Sequence, residues 1–356
     1  MALIALIPAH NEAAGITATL DSLRAQHRVP DRVVVISDNS TDDTVDVARV
    51  AGADVWETAH NRARKAGALN QALARLLPEL GDDDAVLVMD ADSVIDTEFL
   101  STAERLLAGS DRLGAVGGVF YGAPGGGVLG QFQRNEYTRY GREISRRGGR
   151  VMVLTGTASV IRARALRDVA QARGDLLPGT PGHVYDTLAL TEDNELTLAL
   201  KTLRWDLVSP PECRVVTEIM PSWKDLWRQR LRWQRGALEN LRHYGLTSVT
   251  WRYWGQQVGI GAGTIAFSLY LLLVLITAVT NTWGWHPLWI AVGALFVLER
   301  LLTVWRDGRR ARLLALPLIP ELLYDAFIQA VFVRSVLDIL RRRTAQWHHV
   351  GQRTAT

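Results

Sequence analysis

The sequence contains a single cysteine, Cys213, so it cannot form an internal disulfide. Its first apolar run, Ala2–Ile7, is too short for a signal-peptide core and has no basic segment before it. No basic stripe interleaved with aromatic residues runs through the first half of the chain, which argues against nucleic acid as a partner. We therefore expect a cytoplasmic domain in which Cys213 packs rather than reacts.

Charge is missing from one long stretch: no Asp, Glu, Lys or Arg occurs from Tyr253 to Leu298. Within it, Val258–Val279 is long enough to span a bilayer, and Pro287–Trp305 is a candidate returning span. The net charge is only +3, but arginine is much commoner than lysine and clusters near this stretch. Arginine suits anionic lipid head groups and phosphate ligands. We expect an integral membrane protein.

The segment Glu321–Leu340 is ambiguous. Glu321, Asp325 and Gln329 recur every four residues, which predicts an amphipathic helix lying on the surface better than a third span. The basic run Arg341–Arg343 favours a cytoplasmic location, and an even number of spans provides it. Two spans followed by an interfacial helix are therefore predicted, with a third span as the alternative. Glu299 and Arg300 are interpreted as residues that snorkel near a span end.

Apolar runs alternate with amphipathic helical patterns through the first ninety residues. This order predicts an α/β domain with a parallel sheet and helices on both faces. Two further strands are predicted in the middle of the chain, at Val151–Leu154 and Ala158–Arg162. The alternating segments are Leu3–Ile7, Ala13–Gln26, Arg32–Ser37, Asp42–Ala51, Asp54–Trp56, Ala66–Leu77 and Ala85–Met89.

Polar motifs follow three of these strands. Pro8–Glu12 follows the first strand, Asp38 the second, and Asp90-Ala91-Asp92 the buried run that ends at Met89. Ligands of such sheets bind outside the carboxyl ends of the strands, so we expect these loops to share one site. The two carboxylates of the DxD point the same way on an extended segment and suit a hard divalent cation.

A lone DxD is most often a solvated turn, and the nearby run Asp82–Asp84 is interpreted in that way. Asp193, in the sequence Thr191-Glu192-Asp193 at a predicted helix start, suits a general base, although acids at helix starts are also favoured electrostatically. Lys65 begins the motif Lys65-Ala66-Gly67-Ala68-Leu69-Asn70 and is a candidate phosphate ligand or a solvated helix-start lysine. His10 is given no catalytic role.

The segment Gln229-Arg230-Leu231-Arg232-Trp233 combines guanidinium groups with an indole. Arginine matches phosphate through its fork of donors, and a tryptophan face suits a sugar ring or an apolar chain. An interfacial helix without a ligand would have the same composition.

In their order and spacing, these motifs resemble those of the membrane-integrated family 2 glycosyltransferases, the group of the cellulose, hyaluronan and poly-N-acetylglucosamine synthases. The resemblance covers roughly Leu3 to Asn240. It implies the GT-A (Rossmann-like) α/β fold and inverting transfer from a nucleoside-diphosphate sugar, UDP-linked by expectation, to a saccharide or lipid-linked acceptor. It also implies Mg²⁺ or Mn²⁺ as cofactor.

The resemblance gives each motif a role. Asp193 would be the catalytic base with Glu192 beside it, and Asp92 with Asp90 would form the metal site. The nucleotide sugar would be bound by Ala9, Asn11, Glu12, Asp38, Lys65, Asp90, Gln229, Arg230 and Arg232.

The same resemblance places Trp233, Thr155 and Gly156 near the acceptor. The domain organisation follows: a cytosolic GT-A domain, amphipathic interface helices carrying the QRxRW, two transmembrane helices, and an interfacial helix with a basic tail. The predicted boundaries are 1–220, 221–254, 255–312 and 313–356.

Alternative functions stay open at this point. One is a non-processive transferase to a polyprenyl phosphate or glycolipid, although such enzymes generally lack the QRxRW. Another is a catalytically silent scaffold, against which intact Asp92, Asp193 and Arg232 argue. A nicotinamide oxidoreductase is disfavoured because no G-x-G-x-x-G follows the first strand. Two spans are few for a polysaccharide channel, so a homo-oligomer is a further alternative.

Overall fold

The computed structural model of the chain describes residues 1–282, 284 and 287–343. The end of the segment 313–356, which was predicted to be an interfacial helix with a basic tail, therefore lies outside the described residues from position 344 on. The strands are β1 (Leu3–Ala9), β2 (Arg32–Ser37), β3 (Asp54–Glu57), β4 (Ala85–Met89), β5 (Val94–Ile95), β6 (Leu113–Gly117), β7 (Val119–Gly122), β8 (Ala158–Arg162), β9 (Asp206–Val208) and β10 (Arg214–Thr217). The helices are α1 (Ile16–Arg24), α2 (Thr44–Val50), α3 (Arg64–Leu76), α4 (Phe99–Ala108), α5 (Gly127–Arg146), α6 (Ala163–Ala172), α7 (Glu192–Thr202), α8 (Trp223–Tyr244), α9 (Trp251–Val279), α10 (Pro287–Thr303), α11 (Arg309–Ala315) and α12 (Leu318–Leu340).

The main sheet has the strand order β3-β2-β1-β4-β8-β6-β9. Its first four strands are parallel, as the alternation of strands and helices predicts. The strand Ala158–Arg162 was predicted without a direction, and in the structure β8 runs antiparallel to both β4 and β6. Every residue of β8 is buried, and its local sequence does not reveal its direction.

The predicted strand at Val151–Leu154 is also absent from the described structure. Side chains of α7 form hydrogen bonds with the backbone of this segment instead. Leu154 N donates to Thr197 Oγ1 at 2.9 Å, and Lys201 Nζ donates to the Val151 carbonyl. Apolar composition suggested a strand, but these polar side chains satisfy the backbone without a sheet ladder.

Alternate residues of β1 face opposite layers. Leu3, Ala5 and Ile7 pack in the layer that contains α1 and α4, whereas Ile4 and Leu6 pack in the layer that contains α3. Because both faces are covered, β1 is apolar throughout, and its carboxyl end is the part left for polar loops. The candidate functional site lies at this edge of the sheet.

A second sheet has the order β5-β10-β7. In it, β5 begins two residues after Asp92 and pairs antiparallel with β10, with Val216 opposite Val94. This pairing brings the residues that follow β10 to the DxD loop from more than a hundred positions away in sequence.

The chain forms two compact units. The first comprises Met1–Ala123, Tyr140–Ile219 and Arg242–Tyr244, and the second Pro124–Arg139, Met220–Leu241 and Gly245–Thr356. The first unit contains both sheets. The second contains the start of α5, most of α8 and the helices from α9 onward.

Among the described residues, one helix, Trp251–Val279, is long and apolar enough to cross a membrane alone. Helix α10 has 17 residues, about 26 Å at 1.5 Å per residue, so the second predicted span stays a prediction. Helices α11 and α12 meet at 81° and qualify only as a bent pair.

Candidate active site

The ammonium group of Lys65 joins three loops of the first unit. Its Nζ lies 2.6 Å from Asp90 Oδ1, 3.0 Å from Glu192 Oε1 and 3.3 Å from the carbonyl oxygen of Gly156. Lys65 is in the first turn of α3, Asp90 follows β4, and Glu192 begins α7. Burial lowers the pKa of Lys65, but the carboxylates of Asp90 and Glu192 outweigh it and raise that pKa well above its usual value. Lys65 is therefore charged at neutral pH.

Asp193 is held by backbone donors on both carboxylate oxygens. Gly156 N donates to Oδ2 at 3.0 Å, and Asn194 N donates to Oδ1 at 2.7 Å. A Cβ at Gly156 would lie 3.0 Å from Asp193 Oδ2 and 3.3 Å from Lys65 Nζ. Glycine is needed here for this close approach rather than for an unusual backbone angle. Lys65, Thr155, Gly156, Tyr185 and Asp193 line one small cavity.

Asp38 is fixed by three neighbouring donors. Its Oδ1 accepts hydrogen bonds from Asn39 Nδ2 at 2.8 Å, Thr58 Oγ1 at 2.9 Å and Asn61 Nδ2 at 2.8 Å. In the part of the chain that the structure describes, Oδ2 receives no hydrogen bond from protein. The carboxylate is thus rigid and keeps one oxygen for a ligand donor.

The loop Ala9–Glu12 is bonded to the loop after β2. Asp38 N donates to the Ala9 carbonyl at 2.8 Å, Thr41 N donates to Asn11 Oδ1 at 2.7 Å, and Glu12 N donates to Thr44 Oγ1 at 2.7 Å. Asn11 has φ of +59°, a region that asparagine tolerates better than most residues. These bonds join the first two of the polar loops at one edge of the sheet.

Carboxylates crowd together around Asp92. Burial, followed by the charges of Asp90 and Glu218, raises the pKa of Asp92 to about 7. Burial, followed by the charges of Asp92 and Glu218, raises the pKa of Glu12 to about 8. Burial also raises the pKa of Glu218. Burial is the largest cause of these shifts, and for Asp92 and Glu12 the charges of neighbouring carboxylates add to it, which a bound cation would counteract.

The donor set around Asp92 fits a hard divalent cation. Across the described ranges, no three His, Cys, Asp or Glu side chains converge to hold a metal by themselves. Mg²⁺ is commonly bound by one or two carboxylates, with phosphate oxygens and water completing its shell. Asp92 and Asp90 match that pattern, with the remaining ligands left to substrate.

The QRxRW segment lies on α8 in the second unit. Arg230 Nη2 is 2.9 Å from Glu136 Oε2, Nη1 donates to Gln229 Oε1 at 2.7 Å, and the guanidinium lies 4.3 Å from the Trp233 ring centroid. Arg230 is buried and paired within its own unit, so part of its donor set is already engaged.

Two acids of the run interpreted as a solvated turn, and Asn70 of the Lys65 motif, have structural partners. Asp83 and Asp82 form ion pairs with Arg162 and Arg167, at 2.8 and 2.6 Å. Asn70, which follows Lys65 on α3, bonds the backbone of the segment at Tyr185 rather than solvent. These polar side chains stabilise the domain.

Sequence reasoning missed Glu218, Asn61 and Tyr185. Glu218 reaches the DxD only through the β5–β10 pairing, for which no local motif exists. Asn61 both bonds Asp38 and occupies the space beside Gly67, where a Cβ would lie 2.0 Å from its Oδ1. The glycine of the Lys65 motif was the one available signal for it.

A family model described as "Glycosyltransferase like family 2" matches residues 2–236, about two thirds of the chain. The chain belongs to glycosyltransferase family 2. The structure has the GT-A-like fold expected for a member of this family.

Curated relatives are distant. A poly-beta-1,6-N-acetyl-D-glucosamine synthase of Staphylococcus epidermidis is 24% identical over 249 residues, covering 66% of this chain and 54% of the relative. The probable glycosyltransferase YdaM of Bacillus subtilis is 27% identical over 246 residues, covering 65% and 54%. The chain thus spans about half the length of the curated relatives it matches.

A solved structure shares the fold more completely. The mannosyltransferase PcManGT from Pyrobaculum calidifontis, in complex with GDP-Man and Mn²⁺, matches with a TM-score of 0.62 at 18% identity. The match covers 96% of this chain and 88% of that one. At this identity the likeness concerns the fold alone.

The raised pKa of Glu12 predicts a pH-dependent stability. The carboxyl titrates near 4.5 when unfolded and near 8 when folded, so the folded state binds more protons and stability falls as pH rises between these values. Glu12→Gln is expected to unfold at a higher temperature than wild type at pH 8 and to lose less stability between pH 5 and 8. Scanning calorimetry at both pH values checks this, and equal slopes in the two proteins would contradict it.

Gly156→Ala tests the close approach to Asp193. The new Cβ should displace the carboxylate and Lys65 without unfolding the protein, because both are flexible side-chain ends. Misplacement of a reacting group by about 1 Å can cost 10²-fold in rate, so a loss of about that size in sugar transfer is expected. Gly109→Ala, where a Cβ would make ordinary contacts, is the matched control. Equal activity in the two variants would refute the proposed crowding.

Proposed function

We propose that this protein is an inverting membrane glycosyltransferase that moves a sugar from a UDP-linked donor to a hydroxyl of a growing saccharide or membrane-held acceptor. The observation that carries the proposal is the bridge from Lys65 to Asp90 and Glu192. This bridge joins Asp90, in the loop after β4 that belongs to the proposed donor site, to Glu192, the neighbour of the proposed base Asp193. The poly-N-acetylglucosamine synthases among the relatives support a saccharide acceptor.

The donor nucleotide is assigned to the edge of the sheet formed by the loops after β1 and β2. Asp38 Oδ2 would accept from a base or ribose donor, with the Ala9–Glu12 loop alongside. Lys65 would face the diphosphate. Arg230 and Arg232, with Gln229, are proposed to contact the same diphosphate, by resemblance to the family motif.

Asp92 and Asp90 would hold Mg²⁺ or Mn²⁺. When bound, the ion neutralises charge on the diphosphate and so stabilises the leaving group. The protein residues contribute the rest of the electrostatic field. The single positive charge of Lys65 is shared between Asp90 and Glu192, and Asp92 forms no ion pair with it. PcManGT was solved with GDP-Man and Mn²⁺, which supports a nucleotide sugar with a divalent cation in this fold.

Asp193 would act as the base. The acceptor oxygen forms a bond to the anomeric carbon as the bond from that carbon to the diphosphate oxygen breaks, and the hydroxyl proton moves to Asp193. The donors Gly156 N and Asn194 N fix the carboxylate before the reaction. Thr155, Gly156 and Trp233 are proposed to border the acceptor. Glu192 would position Lys65 rather than transfer a proton.

A general base at Asp193 indicates which kind of acceptor group the enzyme uses. A hydroxyl must lose a proton when it attacks, whereas a phosphate monoester with a second pKa of about 6 is already ionised at pH 7. A transferase to polyprenyl phosphate therefore has little need for Asp193. The backbone clamp on that carboxylate favours a hydroxyl acceptor.

Asp193→Asn is expected to lower kcat for a hydroxyl acceptor by about 10²–10⁴-fold while leaving nucleotide affinity unchanged. Glu192→Gln is the matched control, since it makes the same change one residue away. We expect it to retain kcat within about tenfold, or 1.4 kcal/mol, of wild type.

The assay would use purified protein in lipid nanodiscs with UDP- and GDP-sugars, Mn²⁺, and either saccharide or polyprenyl phosphate acceptors. Nucleotide release and product size would be scored. Wild-type turnover by Asp193→Asn on a saccharide would remove the base assignment. Transfer to polyprenyl phosphate alone would favour the non-processive alternative, and no turnover of any donor would favour the silent scaffold.

The catalytic domain is proposed to be cytoplasmic, where nucleotide sugars are available, with α9 anchoring the chain in the membrane. Homo-oligomerisation is retained as the way in which a chain with few spans could form a path for a polymer.

A further inference from the structure

The inward side of α12 carries acids and hydroxyls beside the apolar Val331, whereas its outward side is apolar. Glu321 is only 1% exposed, and Tyr324, Ser335 and Asp338 are buried on the same side. On the opposite side, Leu323 is 68% exposed and Leu340 is 72% exposed. A helix between a protein core and water shows the opposite arrangement, with apolar residues inside and charges outside.

The inward acids of α12 have cationic partners within the second unit. Arg139 Nη2 lies 2.8 Å from Glu321 Oε1, and Arg300 Nη2 lies 2.7 Å from Asp325 Oδ2. Near the end of the helix, Asp338 pairs with Arg334 at 2.9 Å. These pairs account for the acids Glu321 and Asp325 of the four-residue repeat and for Asp338.

A hydroxyl extends this inward network to the QRxRW helix. Tyr324 OH donates to Glu136 Oε2 at 2.6 Å, and the same oxygen accepts from Arg230. The polar residues of α12 therefore bind protein groups on α5, α10 and, through Glu136, α8. Charged groups in a membrane protein are expected to face the bundle interior and pair there.

The interfacial helix predicted for this segment, with a third span as the alternative, stays a prediction. In the structure, Glu321 and Asp325 face Arg139 and Arg300. The sequence could not reveal this, because both partners are more than twenty positions away.

We propose that the outward side of α12 contacts lipid acyl chains. Its 23 residues are about 35 Å long, comparable with a hydrocarbon core of about 30 Å. Helices α9 and α10 of the same unit also expose apolar residues, among them Leu272 and Phe296. Because three helices share this character, a lipid environment explains it better than a protein partner that covers one patch.

The residues before α12 fit the border of such an environment. Trp305 stacks with Arg312 at 5.0 Å, and α11 carries Arg309 and Arg310 before the 81° bend to α12. Tryptophan and arginine are enriched where membrane meets water. This inference does not depend on the donor, the acceptor or the catalytic residues.

Spin labels test the proposal in full-length protein in nanodiscs. Single cysteines at Leu323, Val333 or Leu337, in a Cys213→Ala background, would carry the label at exposed positions. Lipid contact predicts high accessibility to O₂, which partitions into hydrocarbon, and low accessibility to the aqueous reagent nickel EDDA. Val50→Cys, at a residue that is 90% exposed in the first unit, is the water-facing control.

Two results would overturn the proposal. Nickel EDDA accessibility at Leu323 and Leu337 equal to that at Val50 would place this side of α12 in water. Low accessibility to both reagents with an immobilised spectrum would place it against a second copy or another protein. Each labelled variant would first be compared with its unlabelled background by size-exclusion chromatography and thermal unfolding, so that misfolding is not mistaken for either result.

Discussion

The first unit depends on one ammonium group placed among acids. Lys65 neutralises Asp90 and Glu192 and also bonds the carbonyl of Gly156, so a single side chain joins the loop after β4, the loop before β8 and the start of α7. Two partly buried carboxylates at hydrogen-bond distance from a common point would repel each other strongly without it. The strand order of the sheet places these loops at one edge. The positive charge of Lys65 reduces the repulsion between Asp90 and Glu192, so that the loops can lie close together.

The charged side chains of the two units are paired to different extents. In the first, Lys65 compensates only part of the negative charge, and burial, with neighbouring carboxylates at Asp92 and Glu12, raises the pKa values of Asp92, Glu12 and Glu218. In the second, inward acids are matched by Arg139, Arg230 and Arg300. The first arrangement suits a site that binds ions, and the second suits a bundle surrounded by lipid.

Local patterns were sufficient for much of the fold. The spans of β2, β4 and β8 agree with the apolar runs from which they were predicted, since buried strands are short, continuous and ended by polar loops. The direction of β8, the position of Glu218 and the partners of α12 were not predictable. Each depends on pairing between distant residues, which a periodic pattern cannot encode.

For the candidate site, the sequence predicted which residues belong to it but not the contacts between them. Asp90, Glu192 and Lys65 were identified from motifs, and the structure brings them into contact. The motifs did not show that Lys65 contacts Glu192, or that Gly156 contacts Asp193. Those contacts arise from the packing of α3 and α7 around the Gly156 loop, and they separate the proposed base from its neighbouring glutamate.

The most direct test of the Lys65 bridge is a double-mutant cycle of Lys65→Met and Glu192→Gln, followed by thermal unfolding. Lys65→Met leaves two acids uncompensated, so it should destabilise strongly. Adding Glu192→Gln removes one of those acids and should restore part of the lost stability, with a coupling of about 0.5–3 kcal/mol. A double variant whose loss equals the sum of the single losses would show that the two side chains do not interact, and would contradict this account of the site.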